Sequence, residues 1–225
     1  MDVIIWGAKG HAKVLTELFS QTDRQVVALF DNNPQLPSPL HHVPLHIGWD
    51  GFASWTKARQ NTPCLFAIAI GGDRGLDRLQ IATRLQKAGL TIADAIHPTA
   101  YISPTSRVSP GCHVLARATV GVDVRLGDQC IVNTAAVVDH ECQLARGVHI
   151  APGATLAGCV TVGECSFIGT NATVLPYVTI GRNVTVGAGA VVTKNVPDNS
   201  IVYGVPAQPH GLKTPLASLG DSSDA

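Results

Sequence analysis

A six-residue repeat constrains this chain more than any other feature of it. Stepping by six from Ile96 reaches Ile102, Val108, Val114, Val120, Leu126, Val132, Val138, Leu144, Ile150, Leu156, Val162, Ile168, Val174, Ile180, Val186 and Val192, and every position is aliphatic. Val, Ile and Leu supply about a quarter of the residues, so a run of this kind has a chance probability on the order of 10⁻¹⁰. The residue four places after each is small, from Ala100, Ser106 and Cys112 through Cys130 and Cys142 to Ala190 and Val196. A branched and a small side chain turned inward in every six residues predict a narrow parallel β-helix whose coils stack through backbone hydrogen bonds.

Composition agrees and removes several function classes. Charged residues make up 14% of the 225, and sixteen basic residues cancel sixteen acidic ones; soluble domains usually carry about 25%. Two inward positions in six must be uncharged, which accounts for the scarcity. No basic surface points to nucleic acid or an anionic membrane as the main partner. No stretch supplies the roughly 20 apolar residues of a membrane span. The start, Met1-Asp2-Val3-Ile4-Ile5-Trp6-Gly7, has no basic region and reads as a first strand, not a signal peptide. The six cysteines form no CxxC pair, so a reducing cytoplasm without membrane insertion is the expectation.

Before Ile96 the pattern is that of a parallel α/β unit. A strand at Val3–Trp6 leads through Gly7-Ala8-Lys9-Gly10 into a helix from about His11 to Phe19. A strand from Gln25 to Phe30 ends at the turn Asp31-Asn32-Asn33-Pro34. A Pro/His loop follows, then a short helix near Asp50 to Arg59, a strand Cys64 to Ile70, the turn Gly71-Gly72-Asp73 and a helix through about Ala88. The fold class is therefore α/β plus all-β. A small Rossmann-like domain over 1–95 precedes the β-helix over 96–207, and the tail 208–225 reads as flexible. The dinucleotide fingerprint would need glycine where Lys9 and Ala12 stand, so NAD binding is poorly supported. Gly7 and Gly10 still free backbone N–H groups at a helix start, which suits a phosphate, and Asp31 is placed for a ribose or base.

Four motifs carry a resemblance over nearly the whole chain: Gly7-Ala8-Lys9-Gly10-His11-Ala12-Lys13, the pair His140-Glu141, the run from Gly187 through Ala188 and Gly189 to Lys194, and Gly204-Val205-Pro206-Ala207. In their order and spacing they resemble the hexapeptide-repeat sugar acetyltransferases of bacterial surface-glycan synthesis. That group includes the bacillosamine-type N-acetyltransferases of nucleotide-linked 4-amino sugars and the sialic acid O-acetyltransferases. Lys9 and Gly72 depart from the family's pattern. The resemblance implies a left-handed, triangular β-helix with about eighteen residues per coil. It further implies a homotrimer with active sites between adjacent β-helices and acetyl-CoA as cosubstrate along the groove. Carried over by position, His140 is the general base, Glu141 orients it, and Gly158, one coil on, donates its N–H to the thioester carbonyl oxygen. His149 lies near acceptor and cosubstrate. Gly7, Lys9, Gly10, His11, Asp31, Asn32, Gly71 and Arg74 are the remaining candidates for the nucleotide sugar. Gly169, Ala188, Gly189, Lys194 and Pro206 are those for acetyl-CoA.

The expected reaction is attack of a sugar amine on the thioester, with His140 removing the proton and the Gly158 N–H stabilising the oxyanion. UDP is the first expectation for the nucleotide. Two other functions stand beside it: O-acetylation of sialic acid or a related sugar, and noncatalytic binding of a nucleotide sugar. No metal is expected. His113 and His149 are thirty-six residues apart, two coils of the same column, which is about 9.6 Å at the strand spacing and too far for one zinc ion within a chain. Cys142 shares the inward small slot with Cys112 and Cys130, so it reads as packing and not as a nucleophile. Trp6, Trp49, Trp55 and the histidines at 41, 42 and 46 read as aromatic packing and a solvated loop.

Overall fold

The computed structural model describes residues 1–59 and 62–217. Two compact units divide the chain: Met1–Ile70 with Ile81–Ala95, and Gly71–Gln80 with the residues from Ile96 onward. The segment Gly71–Gln80, placed by sequence in the amino-terminal domain, thus belongs with the β-helix.

In the first unit, β1 (Asp2–Trp6), α1 (Gly10–Ser20), β2 (Gln25–Asp31), β3 (Leu45–Ile47), α2 (Gly48–Ala58), β4 (Leu65–Ile68), α3 (Gly75–Lys87, of which residues from Ile81 count here) and β5 (Thr91–Ile92) follow one another. The strands form a parallel sheet in the order β3-β2-β1-β4-β5. Val3 to Trp6 are all buried, as a central parallel strand covered on both faces requires. On α1 the buried residues Ala12, Leu15, Leu18 and Phe19 make one helical stripe. Trp6 stacks on Phe30, with ring centroids 5.6 Å apart, and lies 3.9 Å from the Trp49 ring. Trp6 is therefore core, with Trp49 and Trp55 partly buried against it, and the Pro/His loop ends in the short edge strand β3, whose pairing with β2 the sequence pattern did not indicate.

In the second unit, seventeen two-residue strands run among the described residues from β6 (Ala95–Ile96, of which Ile96 counts here) through β22 (Val191–Val192). Each ends on one of the seventeen aliphatic positions. They build a left-handed β-helix with three parallel sheets. Every strand pairs with the one eighteen residues away, as Thr119 and Val120 do with Val137 and Val138. From Val114 to Val192 the inward aliphatics are buried, whereas Ile102 and Val108 are only partly covered and Ile96 is 41% exposed; the first coil has a neighbour on one side only. The small slot has a polar use as well. Cys112, Cys130 and Cys142 donate their thiols to the carbonyls of Gly127, Ala145 and Ala157 at 3.1 to 3.2 Å.

Between Gly111 and Gly189 the residue before each small slot takes positive φ. From Gly111 to Gly189 the column includes Asp123 (57°), Glu141 (58°), Gly147 (71°), Cys159 (62°) and Cys165 (58°). This left-handed backbone, unfavourable for most L-residues, turns each corner and fixes where its side chain leaves the coil.

After the last coil, β23 (Ser200–Gly204) and β24 (Ala207–Leu212) pair antiparallel. This corrects the expectation of a flexible tail from 208: the backbone stays in the sheet through Leu212. Lys213 Nζ then bonds Asp73 at 3.0 Å and Thr185 Oγ1 at 3.2 Å, and the Thr214 carbonyl accepts from Asn183 at 2.9 Å. Residues 218–225 lie outside the described residues. Among the described residues no helix is long and apolar enough to cross a membrane.

Candidate active site

The hexapeptide rule sets the position of His140. Val138 and Cys142 are buried, so Asp139, His140 and Glu141 form the corner between β13 (Val137–Val138) and β14 (Gln143–Leu144). Half of the His140 and Glu141 side-chain surface or more is exposed, at 51% and 61%. His140 Nδ1 lies 3.0 Å from Glu141 Oε2, and the His140 backbone N–H donates to Asp139 Oδ1 at 2.7 Å. A carboxylate can only accept, so Nδ1 carries the proton and Nε2 keeps the lone pair.

One coil on, Gly158 occupies the equivalent corner. A Cβ there would come within 2.4 Å of both Nε2 and Cε1 of His140, so the ring lies against this glycine and no larger residue fits without moving it. The coils are tied at this point, since the Cys159 N–H donates to the His140 carbonyl at 2.9 Å and the Tyr177 N–H to the Gly158 carbonyl at 3.1 Å. Among the described residues the Gly158 N–H has no acceptor of its own. A lone pair, an amide donor and an open corner therefore lie together.

The other candidates divide into groups. Lys194, two residues past β22, stands in the His140 and Gly158 column three coils on, about 14 Å away at the strand spacing, and is exposed. Ala188 and Gly189 follow β21 (Thr185–Val186) at a different corner and are also exposed. Pro206 sits in the exposed turn between β23 and β24. Gly169 is buried, and a Cβ on it would meet the Val186 carbonyl oxygen at 2.6 Å, so close stacking of the coils requires glycine there.

His149 does not meet His140 within one chain. It lies buried in β15 (His149–Ile150), in the sheet opposite the His140 corner, in register with Ile131, which pairs in turn with His113. The Gly72 carbonyl is 3.1 Å from its Nδ1 and Asn133 Nδ2 is 3.1 Å from its Nε2. Because Asn133 Oδ1 already accepts the Thr134 N–H, the amide faces His149 with its donor. His149 is thus a neutral Nδ1–H tautomer. Gly71 and Arg74 sit in the same turn as Gly72, and Arg74 pairs with Asp77.

In the amino-terminal unit, Gly7 has φ of 102° and a Cβ on it would lie 2.7 Å from the Ala69 carbonyl oxygen, so glycine is obligatory at the end of β1. Lys9 and Gly10 are exposed at the start of α1, with His11 partly exposed. The Asp31 carboxylate accepts from the backbone N–H of Ala8 at 2.9 Å and of Asn33 at 3.0 Å. It therefore organises the turn, and Asn32 is exposed beside it. Sequence reasoning passed over Cys159, whose thiol lies 3.6 Å from Glu141 Oε2; its place eighteen residues after Glu141 is the signal that locates it.

Known proteins match over this same architecture. The PglD N-terminal domain family matches residues 2–85 and the bacterial transferase hexapeptide family residues 159–194. PerB, the perosamine N-acetyltransferase from Caulobacter crescentus, solved in complex with CoA and GDP-perosamine, is 37% identical; the match covers 94% of this chain and 98% of that one, with a TM-score of 0.85. The acetyltransferase domain of PglB from Neisseria gonorrhoeae, in complex with acetyl coenzyme A, is 34% identical over 93% of this chain and 98% of that one, with a TM-score of 0.79. WeeI from Acinetobacter baumannii, 23% identical over 93% of this chain and 100% of that one at a TM-score of 0.81, shares the fold. The chain belongs to the hexapeptide-repeat sugar acetyltransferase family.

Proposed function

We propose that this enzyme transfers the acetyl group of acetyl-CoA to the amine of a nucleoside diphosphate-linked 4-amino sugar, with His140 as general base. The observation that carries the reading is the His140 ring, its Nδ1 held by Glu141 and its Nε2 free to accept a proton against Gly158. The neutral amine attacks the thioester carbonyl, Nε2 takes the proton as the C–N bond forms, the Gly158 N–H stabilises the oxyanion, and CoA leaves as the thiol. Gly7, Gly10 and Asp31 of the amino-terminal unit hold the nucleotide, with Lys9 as a cation near the diphosphate. The bound ligand of the 37% identical relative, GDP-perosamine, sets GDP beside UDP as the base to test first.

The candidates for acetyl-CoA stand at two corners of one β-helix, Lys194 at that of His140 and Ala188 and Gly189 at another. A groove built from both needs a second copy, so the working form is a homotrimer of the soluble chain.

Thiol release from acetyl-CoA, measured against GDP-, UDP- and TDP-linked 4-amino sugars and free sialic acid, tests the reading. Activity on a nucleotide amino sugar is expected, with at least the ~10²-fold loss typical of a general base in His140→Ala while trimer and acetyl-CoA binding persist. Turnover confined to sialic acid, or an undiminished His140→Ala enzyme, would overturn it.

A further inference from the structure

The His140 corner holds a third donor atom that acetyl transfer does not use. Cys159 Sγ and His140 Nδ1 flank the same carboxylate oxygen, Glu141 Oε2, at 3.6 Å and 3.0 Å, and the donor atoms of the three residues all lie within 4.8 Å of one another. Their backbone is fixed. Glu141 and Cys159 occupy the same left-handed corner position one coil apart, with φ of 58° and 62°, and the ladder bond from Cys159 to the His140 carbonyl joins them. Only short, partly exposed side chains have to adjust. Asp139 adds a second carboxylate on the same turn, so the corner attracts cations.

Imidazole, carboxylate and thiolate are the donors zinc selects, at bond lengths of about 2.0 to 2.3 Å, and three protein ligands leave a fourth position for water. We propose that His140, Glu141 and Cys159 form a site for a soft divalent cation, zinc above all, whose occupation switches off the base. Zinc takes the Nδ1 lone pair, so the single proton of the neutral imidazole resides on Nε2. Glu141 gives a carboxylate oxygen, and Cys159 binds as the thiolate after releasing its proton to solvent. Nε2 then presents an N–H to the amine where it must present a lone pair. The switch rests on the reading of His140 as the base; the binding site does not.

Cobalt(II) serves as the probe, because a cobalt–thiolate bond gives a near-ultraviolet charge-transfer band. The full-length protein is expected to bind one equivalent per chain with that band, to lose it when zinc is added, and to lack it in Cys159→Ser and Cys159→Ala. Buffered zinc is expected to inhibit acetyl transfer reversibly, a chelator restoring it. Cys159→Ser should keep turnover and need at least tenfold more free zinc for half-inhibition. A band that survives in both Cys159 variants, or no band at all, overturns the site. A Cys159-dependent band without inhibition overturns the switch, and if His140→Ala also retains turnover the failure lies in the assignment of the base.

Discussion

Six residues separate Glu141 from Gly147, and both turn a corner of the same coil with left-handed backbone, φ 58° and 71°. At the first corner the histidine beside the turn is half exposed and its partners are a carboxylate and a glycine. At the second, Arg78 is completely buried, donating to the Gln129 carbonyl at 3.2 Å and to the Gly147 carbonyl at 2.6 Å. Gly75 approaches so closely that a Cβ on it would be 2.4 Å from the Gly147 oxygen. The repeat produces equivalent corners; what covers them decides whether they become structure or chemistry. The segment Gly71–Gln80 seals the Gly147 corner, and the His140 corner stays open.

The largest way to break this contrast is Arg78→Ala. Burial pushes the Arg78 guanidinium down to about 10, still charged at neutral pH. Its removal leaves two buried carbonyls without their donor, each costing about 1–3 kcal/mol. We expect a loss of about 3 kcal/mol or more in urea unfolding. A change below about 0.5 kcal/mol would mean that the covering segment does not seal the corner. Gly158→Ala is the counterpart at the open corner. The new Cβ displaces the exposed His140 ring by about an ångström, a misplacement worth roughly 10²-fold in rate. Turnover should fall by that factor while the unfolding midpoint moves little. Equal losses in both assays would mean that this corner too is structural.

These two corners also separate what the sequence makes legible from what it does not. The period of six locates seventeen strands from backbone spacing alone, whereas the eighteen-residue coil that brings His140 over Gly158 is implied by the family resemblance and not by the period. The column of left-handed corners was present as Gly111, Asp123, Gly147, Gly153, Asn171, Asn183 and Gly189, residue types that accept positive φ. Arg117, Gln129, Ala135, Glu141, Cys159, Cys165 and Tyr177 interrupt it and hide its period. Arg78 was not legible at all. An arginine on a helix otherwise bearing Asp77, Gln80 and Arg84 looks solvated, and only the tertiary approach of Gly75 to Gly147 buries it. Likewise Gln208-Pro209-His210-Gly211 has the composition of a loose tail, yet pairing with β23 holds it in a strand. The division of the acetyl-CoA candidates between two corners follows from the triangular section, which one period cannot reveal.

Thiol labelling sharpens the comparison, since each corner carries a cysteine one coil on: Cys159 after Glu141 and Cys165 after Gly147. Burial pushes the thiols of Cys165 and Cys142 up to about 11. Cys159 is also raised, by desolvation and then by the Glu141 carboxylate, but is only partly buried. With limiting iodoacetamide at pH 8, mass spectrometry should find Cys159 alkylated at least tenfold faster than either. Access favours it, since Cys159 is partly exposed and the other two are buried. Comparable rates at Cys165 would show that its corner opens.

The smallest effect belongs to the outer clasp of the covering segment, Asp73 with Lys213. Partial burial pushes the Asp73 carboxyl up, but the Lys213 ammonium outweighs it and holds the group below its ordinary value. A carboxylate depressed in the folded state contributes stability that is present above its unfolded value, near 3.9, and is lost as the pH falls through the folded value. Urea midpoints compared at pH 5 and pH 3 should therefore drop less in Lys213→Met than in the parent protein. Asp73 is 48% exposed, so solvent screening keeps the difference below about 1 kcal/mol. Identical acid slopes would detach the carboxyl-terminal strap from the Asp73 turn, leaving Arg78 and the His149–Gly72 bond to seal the Gly147 corner by themselves.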